Sequence, residues 1–388
     1  MNAELIKFFK ATGTIILSVF AIYLTIGMLL GCLPSYIEGE LGGGSLTVGI
    51  VIGLQSLATL LFRAYSGKLT DTIGAKQSFN KGLLFVVLSA IIYLLASGFI
   101  HGFGLAILMI CVARTLHGMA ESLIVTGGLT WAIHEVGIAQ SGKVMTWNGI
   151  AMYGGIAIGA PLAIGLEKNL GIQSIFWTML LLSLLSLILT FKRKGAPVDP
   201  EFKRIPFYKV ISQVSAQGLG LAFSSIGFAC ISSFITLLFT HYHWIHVSKA
   251  FIGFGVAYVA VRIFFGHLPD RLGGYKVAIY SFILAAVGQL LIALSITELW
   301  VIIGCILSGI GFSLIFPALG VLAITKVPPQ MRGTALGAFA AFFDLSLAIA
   351  TPLAGLLVFF WGYNSIYYFG GLCSLVAIWM IQNDLSKS

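Results

Sequence analysis

Charge is what this chain has least of. Of its 388 residues, 22 are Lys or Arg and 13 are Asp or Glu, together 9%, where an ordinary soluble domain carries about 25%. Too little polar surface remains to cover a body in water, which excludes a cytosolic enzyme. Disorder is excluded by the same numbers, because a chain that is 59% apolar with 29 Phe buries itself wherever it can. Cysteine is scarce as well: Cys32, Cys111, Cys230, Cys305 and Cys373 stand one to an apolar block without paired spacing. They read as small buried apolar residues, not as a disulfide framework or a metal site. Catalytic signatures are lacking too, with no Gly-x-Ser-x-Gly, no phosphate-cradling loop, and no second His four residues after His134. That speaks against a membrane-embedded enzyme and an ATP-driven pump, and no cofactor is implied. The net charge of +9 forms no basic patch with interleaved aromatics, so nucleic acid is not an expected partner.

What the chain has in abundance is long apolar runs. A bilayer core takes about 20 helical residues per crossing. Polar, Gly and Pro punctuation divides the sequence into twelve such spans, roughly 11–33, 46–66, 82–100, 103–129, 143–165, 172–191, 210–238, 249–266, 277–296, 299–325, 333–360 and 363–382. The first run, Ile15 to Cys32, is too long for a signal peptide core and is expected to be retained. With the N-terminus in the cytoplasm, 19 of the 22 basic residues fall on inside loops and helix ends; Lys168 and Lys249 lie outside and Arg114 within a span. The positive-inside bias therefore predicts both termini in the cytoplasm. The longest interruption, residues 192–209, holds Lys192-Arg193-Lys194, three prolines, Asp199 and Glu201. It predicts a linker between a bundle of six helices at 1–191 and another at 210–388.

The halves repeat one another, a known route to transporters. Arg63, Gly67, Leu69, Asp71 and Gly74 recur 199 residues later as Arg262, Gly266, Leu268, Asp270 and Gly273. Gly142, Pro161, Leu162 and Ala163 recur 191 residues later as Gly333, Pro352, Leu353 and Ala354.

On these residues the chain resembles the major facilitator superfamily. Gly67-Lys68-Leu69-Thr70-Asp71-Thr72-Ile73-Gly74-Ala75-Lys76 is similar to that family's loop between the second and third spans, and the second copy matches again with Arg271 after its aspartate. Arg114-Thr115-Leu116-His117-Gly118 resembles the fourth-span motif of its drug-proton antiporters, and Gly155 to Pro161 their fifth-span motif. Gly118 to Gly127 and Ser141 to Gly149 resemble the bacterial arabinose-efflux-like (YhhS-type) branch. The match departs at Thr72 and Ala75, where the loop motif is usually basic, at His117 and Ala120, and at the extra Ala160 before Pro161. The resemblance implies an all-α membrane protein of two pseudo-symmetric six-helix bundles, a monomer in a bacterial inner membrane. It also implies gating roles for Arg63, Gly67, Asp71, Gly74 and Lys76 and for Arg262, Gly266, Asp270, Arg271 and Gly273. Gly155, Gly159, Pro161 and Pro352 would seal helix interfaces against proton leak.

Ionisable groups deep in apolar spans are few: Arg114, His117, Glu121 and Asp344. Each costs about 2.5–3.5 kcal/mol at the bilayer centre on insertion scales, so it marks a pathway or a partner. Positions 114, 117 and 121 share one helical face, and His117 and Glu121 are close enough to bond. The alternative is an ion-paired packing network. In the second half the equivalent positions are Cys305, Ser308 and Phe312, none a membrane-depth charge, and the deep acid is Asp344 instead. Proton exchange at Glu121, Asp344 or both is the expected chemistry. Tyr23, Tyr36, Trp147, Asn148, Tyr153, Tyr258 and Phe343 are candidates to contact an organic substrate. His241, His243 and His246 lack standard ligand spacing, so no metal site is expected. The expected function is a proton-coupled secondary transporter exporting a small organic compound. An importer or uniporter of a nutrient or chelator, and a non-transporting membrane sensor, are the alternatives.

Overall fold

The structure is a computed structural model and describes residues 3–99, 102–137, 140–195, 211–325 and 332–385. Most of the expected linker, from 196 to 209, lies outside the described residues, as do Lys203, Arg204, Lys209, Lys326 and Lys387 of the basic set. The described chain is helical throughout: α1 (Ala3–Ser35, continued by a π-helical turn Tyr36–Glu40), α2 (Ser45–Ile73), α3 (Ala75–Phe99), α4 (Phe103–Val136), α5 (Ser141–Leu170) and α6 (Gln173–Phe191). There follow α7 (Ser215–His241), α8 (Val247–Phe265), the short α9 (Leu268–Leu272), α10 (Gly274–Leu294), α11 (Glu298–Thr325), α12 (Arg332–Trp361) and α13 (Ser365–Leu385). Twelve helices are long and apolar enough to cross a membrane, the number the punctuation predicts. Leu61, Phe99, Ile188, Phe359 and Trp379 are among many large apolar side chains left exposed. Lipid is the solvent that stabilises such a surface.

The loop expected at Gly67 to Lys76 is mostly helix. α2 runs on to Ile73 and breaks only at Gly74, whose φ of +98° suits glycine. The second copy breaks earlier, at Gly266, and restarts as α9. The difference follows from one residue: Thr70, which stays helical with its hydroxyl on the Ser66 carbonyl at 2.8 Å, has Pro269 as its counterpart 199 residues on. Proline lacks an N–H and its ring clashes with the carbonyl four residues back, so a helix cannot run through it undisturbed.

The chain divides into two compact units, one of Met1–Cys32 with Leu57–Phe202 and the other of Leu33–Ser56 with Lys203–Ser388. In the first, α3 packs on α4 and α6, and α5 lies directly on α1. A Cβ at Gly155 would sit 2.7 Å from the Leu24 nitrogen, and one at Gly159 2.2 Å from the Leu24 carbonyl oxygen. From the other side, one at Gly27 would meet the Ile156 carbonyl at 2.5 Å. Glycines four apart on both helices let the backbones touch, as small residues do in lipid.

In the second unit α7 packs on α11, α12 and α13, and α10 on α11 and α13. Here Gly49 and Gly53 at the start of α2 lie against Thr351 and Pro352, and Ser45 Oγ donates to the Gly355 carbonyl at 3.0 Å. The Tyr363 hydroxyl donates to both carboxylate oxygens of Glu38, at 2.8 and 3.0 Å. Burial, then the bond to Glu38, raises the Tyr363 pKa well above the ordinary tyrosine range, so it remains a donor at any physiological pH.

Candidate functional site

In the first unit the polar residues of α4 gather neighbours from two other helices. Glu121 accepts a hydrogen bond from Tyr23 Oη of α1 at 2.9 Å and another from Thr59 Oγ1 of α2 at 3.3 Å. Thr59 Oγ1 also lies 3.0 Å from the Gly118 carbonyl oxygen, so this one hydroxyl is shared between two acceptors. Arg114 is 2% exposed and within electrostatic reach of Glu121. His117 is fully buried, and neither of its ring nitrogens has a hydrogen-bond partner. The expected bond from His117 to Glu121 is therefore not made; the carboxylate is held from neighbouring helices instead. Buried polar groups are ordinarily satisfied, so an orphaned imidazole points to a place for water, a proton or a ligand.

The corresponding place in the second unit is aromatic. Phe312 follows Glu121 by 191 residues and Tyr258 follows Thr59 by 199, the same two offsets that relate the repeats. Their rings lie 6.1 Å apart, so the contact between the second and fourth helices of each half recurs with different chemistry. Phe312 stacks on Phe228 of α7 at 5.2 Å with planes 2° apart, and Phe343 of α12 and Phe254 of α8 complete the cluster at 6.3 and 6.5 Å. Asp344, 5% exposed, follows Phe343 on α12. Of the substrate-contact candidates, Tyr23 thus joins Glu121, while Tyr258 and Phe343 join the cluster. Trp147 instead packs edge-on against Phe9 at 4.8 Å, and Asn148 Nδ2 donates to Met152 Sδ at 3.1 Å. Tyr153 is partly exposed on α5, and Tyr36 lies buried in the π-turn. Thr59, Phe228 and Phe254 were not singled out from sequence, and Phe312 only as the position equivalent to Glu121; the 199-residue offset was the signal for Thr59.

The repeated-motif residues are held at helix ends. Lys76 Nζ donates to the carbonyls of Phe191 and Arg193 at 2.8 and 2.5 Å, a cation at the C-terminus of α6. Arg262 Nη1 donates to the Ser313 carbonyl at 2.8 Å and lies over the Tyr258 ring. Arg63, Gly67 and Asp71 lie on the last turns of α2, Gly74 forms the corner, Asp270 and Arg271 lie on α9, and Gly266 and Gly273 flank it. Gly155 and Gly159 form the α5 face against α1, and Pro352 meets Gly49 and Gly53; Pro161 lies within α5. At the far end of α7, His246 Nδ1 pairs with Glu298 at 2.5 Å, and among the described residues no three His, Cys, Asp or Glu side chains are placed to hold a metal ion.

A family model described as Major Facilitator Superfamily matches residues 15–250 and 217–385. The chain belongs to the major facilitator superfamily. Relatives carry the same assignment: an uncharacterized MFS-type transporter of Pseudomonas aeruginosa is 39% identical over 364 residues, 93% of this chain and 90% of the relative. Another, of Salmonella typhimurium, is 38% identical over 362 residues, 92% of each. Solved structures of similar fold include a D-xylose-proton symporter (TM-score 0.78, 14% identity, 95% of this chain and 96% of that one). The nucleoside transporter NupG matches with TM-score 0.75 at 15% identity and the human organic anion transporter MFSD10 with 0.72 at 16%, each covering 96% of this chain and 99% of the other. This member of the superfamily is a multi-pass inner-membrane transporter of a small molecule, not an enzyme.

Proposed function

We propose that this major facilitator protein couples export of a small organic compound to proton entry, by alternating access of two six-helix bundles with both termini in the cytoplasm. The observation that carries the reading is the polar set on α4: a carboxylate held by Tyr23 and Thr59, one and two turns from a buried, unpartnered imidazole and a buried guanidinium. In this reading Glu121 takes up a proton from one side of the membrane and releases it to the other as access to the site alternates. Asp344 is a second acid at membrane depth and serves the same exchange. The aromatic cluster of Tyr258, Phe312 and Phe343 supports a substrate with a flat ring, since aromatic faces favour stacking. The fourth- and fifth-span motifs support the drug-proton antiporter branch and the outward direction. Arg63, Asp71, Lys76, Arg262, Asp270 and Arg271 would act as the gate, and the protein would work as a monomer.

Comparing metabolites inside and outside cells with and without the protein identifies the compound. Its movement into inside-out vesicles under an imposed pH gradient then tests coupling. Glu121→Gln and Asp344→Asn, taken singly and together, are expected to abolish gradient-driven accumulation while the protein still folds. Full coupling in the double variant would overturn the reading, and accumulation in right-side-out vesicles driven by the inward gradient would make the protein an importer.

A further inference from the structure

A groove on the first unit lies apart from the α4 site and is used by none of the chemistry above. It has a volume of about 470 Å³ and is lined by Phe62, Tyr65 and Leu69 of α2, Lys81, Leu84 and Phe85 of α3, and Met119 and Leu123 of α4. α2 and α3 diverge from the corner at Gly74, so distance from that corner measures depth. Tyr65 stands nine residues before it and Lys81 seven after, which at about 1.5 Å per residue puts the hydroxyl-bearing and amine-bearing positions at nearly one height. Leu123 belongs to the same level, because its Cβ faces Gly82. Phe62, Leu84, Phe85 and Met119 lie deeper. Leu69, five residues before the corner, is the shallowest lining residue, so the two polar groups stand just below it and above an apolar deep end.

It also opens sideways: Tyr65 and Leu84 are 51% and 47% exposed on a surface otherwise covered by lipid. Among the described residues Lys81 has no hydrogen-bond or ion-pair partner. The other lysine of α3 near the corner, Lys76, is by contrast fixed on carbonyls at the end of α6. An unpaired ammonium beside a phenol at the mouth of an apolar slot complements one class of molecule. We infer that this groove binds an anionic phospholipid, its phosphate on Lys81 and Tyr65 and one acyl chain along Phe62, Phe85 and Met119. Basic pockets between membrane helices take such headgroups, and Lys reaches the interface from a buried stem. A soluble anion would gain nothing from the deep apolar walls, and a zwitterionic lipid would bring its own cation to the lysine.

The experiment uses the full chain in mild detergent, titrated with phosphatidylglycerol or with phosphatidylethanolamine of identical acyl chains and followed by native mass spectrometry. The unaltered protein is expected to prefer phosphatidylglycerol. Lys81→Gln should weaken that lipid about fivefold and leave phosphatidylethanolamine unchanged, and Lys81→Arg should restore the preference. Leu84→Trp, which fills the deep end, should lower retention of both lipids. Size-exclusion profiles and melting curves check that each variant is folded. An unchanged preference in folded Lys81→Gln would overturn the inference. So would equal retention in folded Leu84→Trp, or displacement of phosphatidylglycerol by millimolar inorganic phosphate, which would make the site one for a free anion.

Discussion

Glu121 and Phe312 occupy equivalent places in a duplicated chain, and each touches the residue equivalent to the other's neighbour, Thr59 in one half and Tyr258 in the other. In the first unit the position holds a carboxylate, with a hydroxyl from each of two helices supplied to it. In the second it holds a phenyl ring stacked between rings. The scaffold therefore fixes where a side chain meets its neighbour and leaves open what the pair does. A polar centre in lipid needs donors aimed at it, because each unsatisfied group there is costly. An aromatic centre needs only faces at stacking distance. Duplication allowed one copy to specialise in charge and the other in shape.

The largest effect expected from disturbing this comparison is at Gly159. Any side chain there enters the Leu24 carbonyl, whereas the equivalent position 191 residues on is already an alanine, Ala350. Gly159→Ala should destabilise by about 4 kcal/mol or more, above the usual overpacking cost because the clash is with main chain that no rotamer can relieve, and Ala350→Gly much less, read as melting midpoints in detergent. Exchanging the centres comes next. Phe312→Glu places an acid where no hydroxyl pair awaits it and should cost about 2.5–3.5 kcal/mol, whereas Glu121→Phe should preserve folding better and lose gradient-driven transport. Equal stability of the two variants would show that the donors around Glu121 do not matter. Tyr23→Phe removes a donor to a carboxylate and should cost about 1.5–3 kcal/mol, and Thr59→Val about 1; both should lower gradient-driven accumulation. Smallest is Phe312→Leu, which removes stacking worth about 0.5–1.5 kcal/mol and should weaken binding of a ring-bearing substrate more than it lowers the melting point.

Much of the fold was legible because lipid imposes a coarse grammar: too few charges for water, and apolar runs of bilayer length between polar breaks. The helix count follows from that. Helix ends were harder, since Gly67 looks like a break but its helix continues, while Pro269 supplies a real one in the copy. At the site, Arg114, His117 and Glu121 stood out because charge is rare in these spans. Of their partners Thr59 did not, and Tyr23 stood out only as a candidate substrate contact, since both bear on Glu121 only through where α1 and α2 lie. Buried phenylalanines carry still less signal in a chain with 29 of them, and only the repeat offset distinguishes Phe312 from the rest.

The seam of α1 and α5 has a mechanical corollary. Where Gly27, Gly155 and Gly159 bring main chain against main chain, no rotamers are available to cushion a shift, and sliding by even an ångström would drive carbonyl oxygens into α-carbons. Such a joint behaves as a weld: the two helices transmit bending as one beam, and whatever flexing the first unit undergoes must be taken up by other pairs.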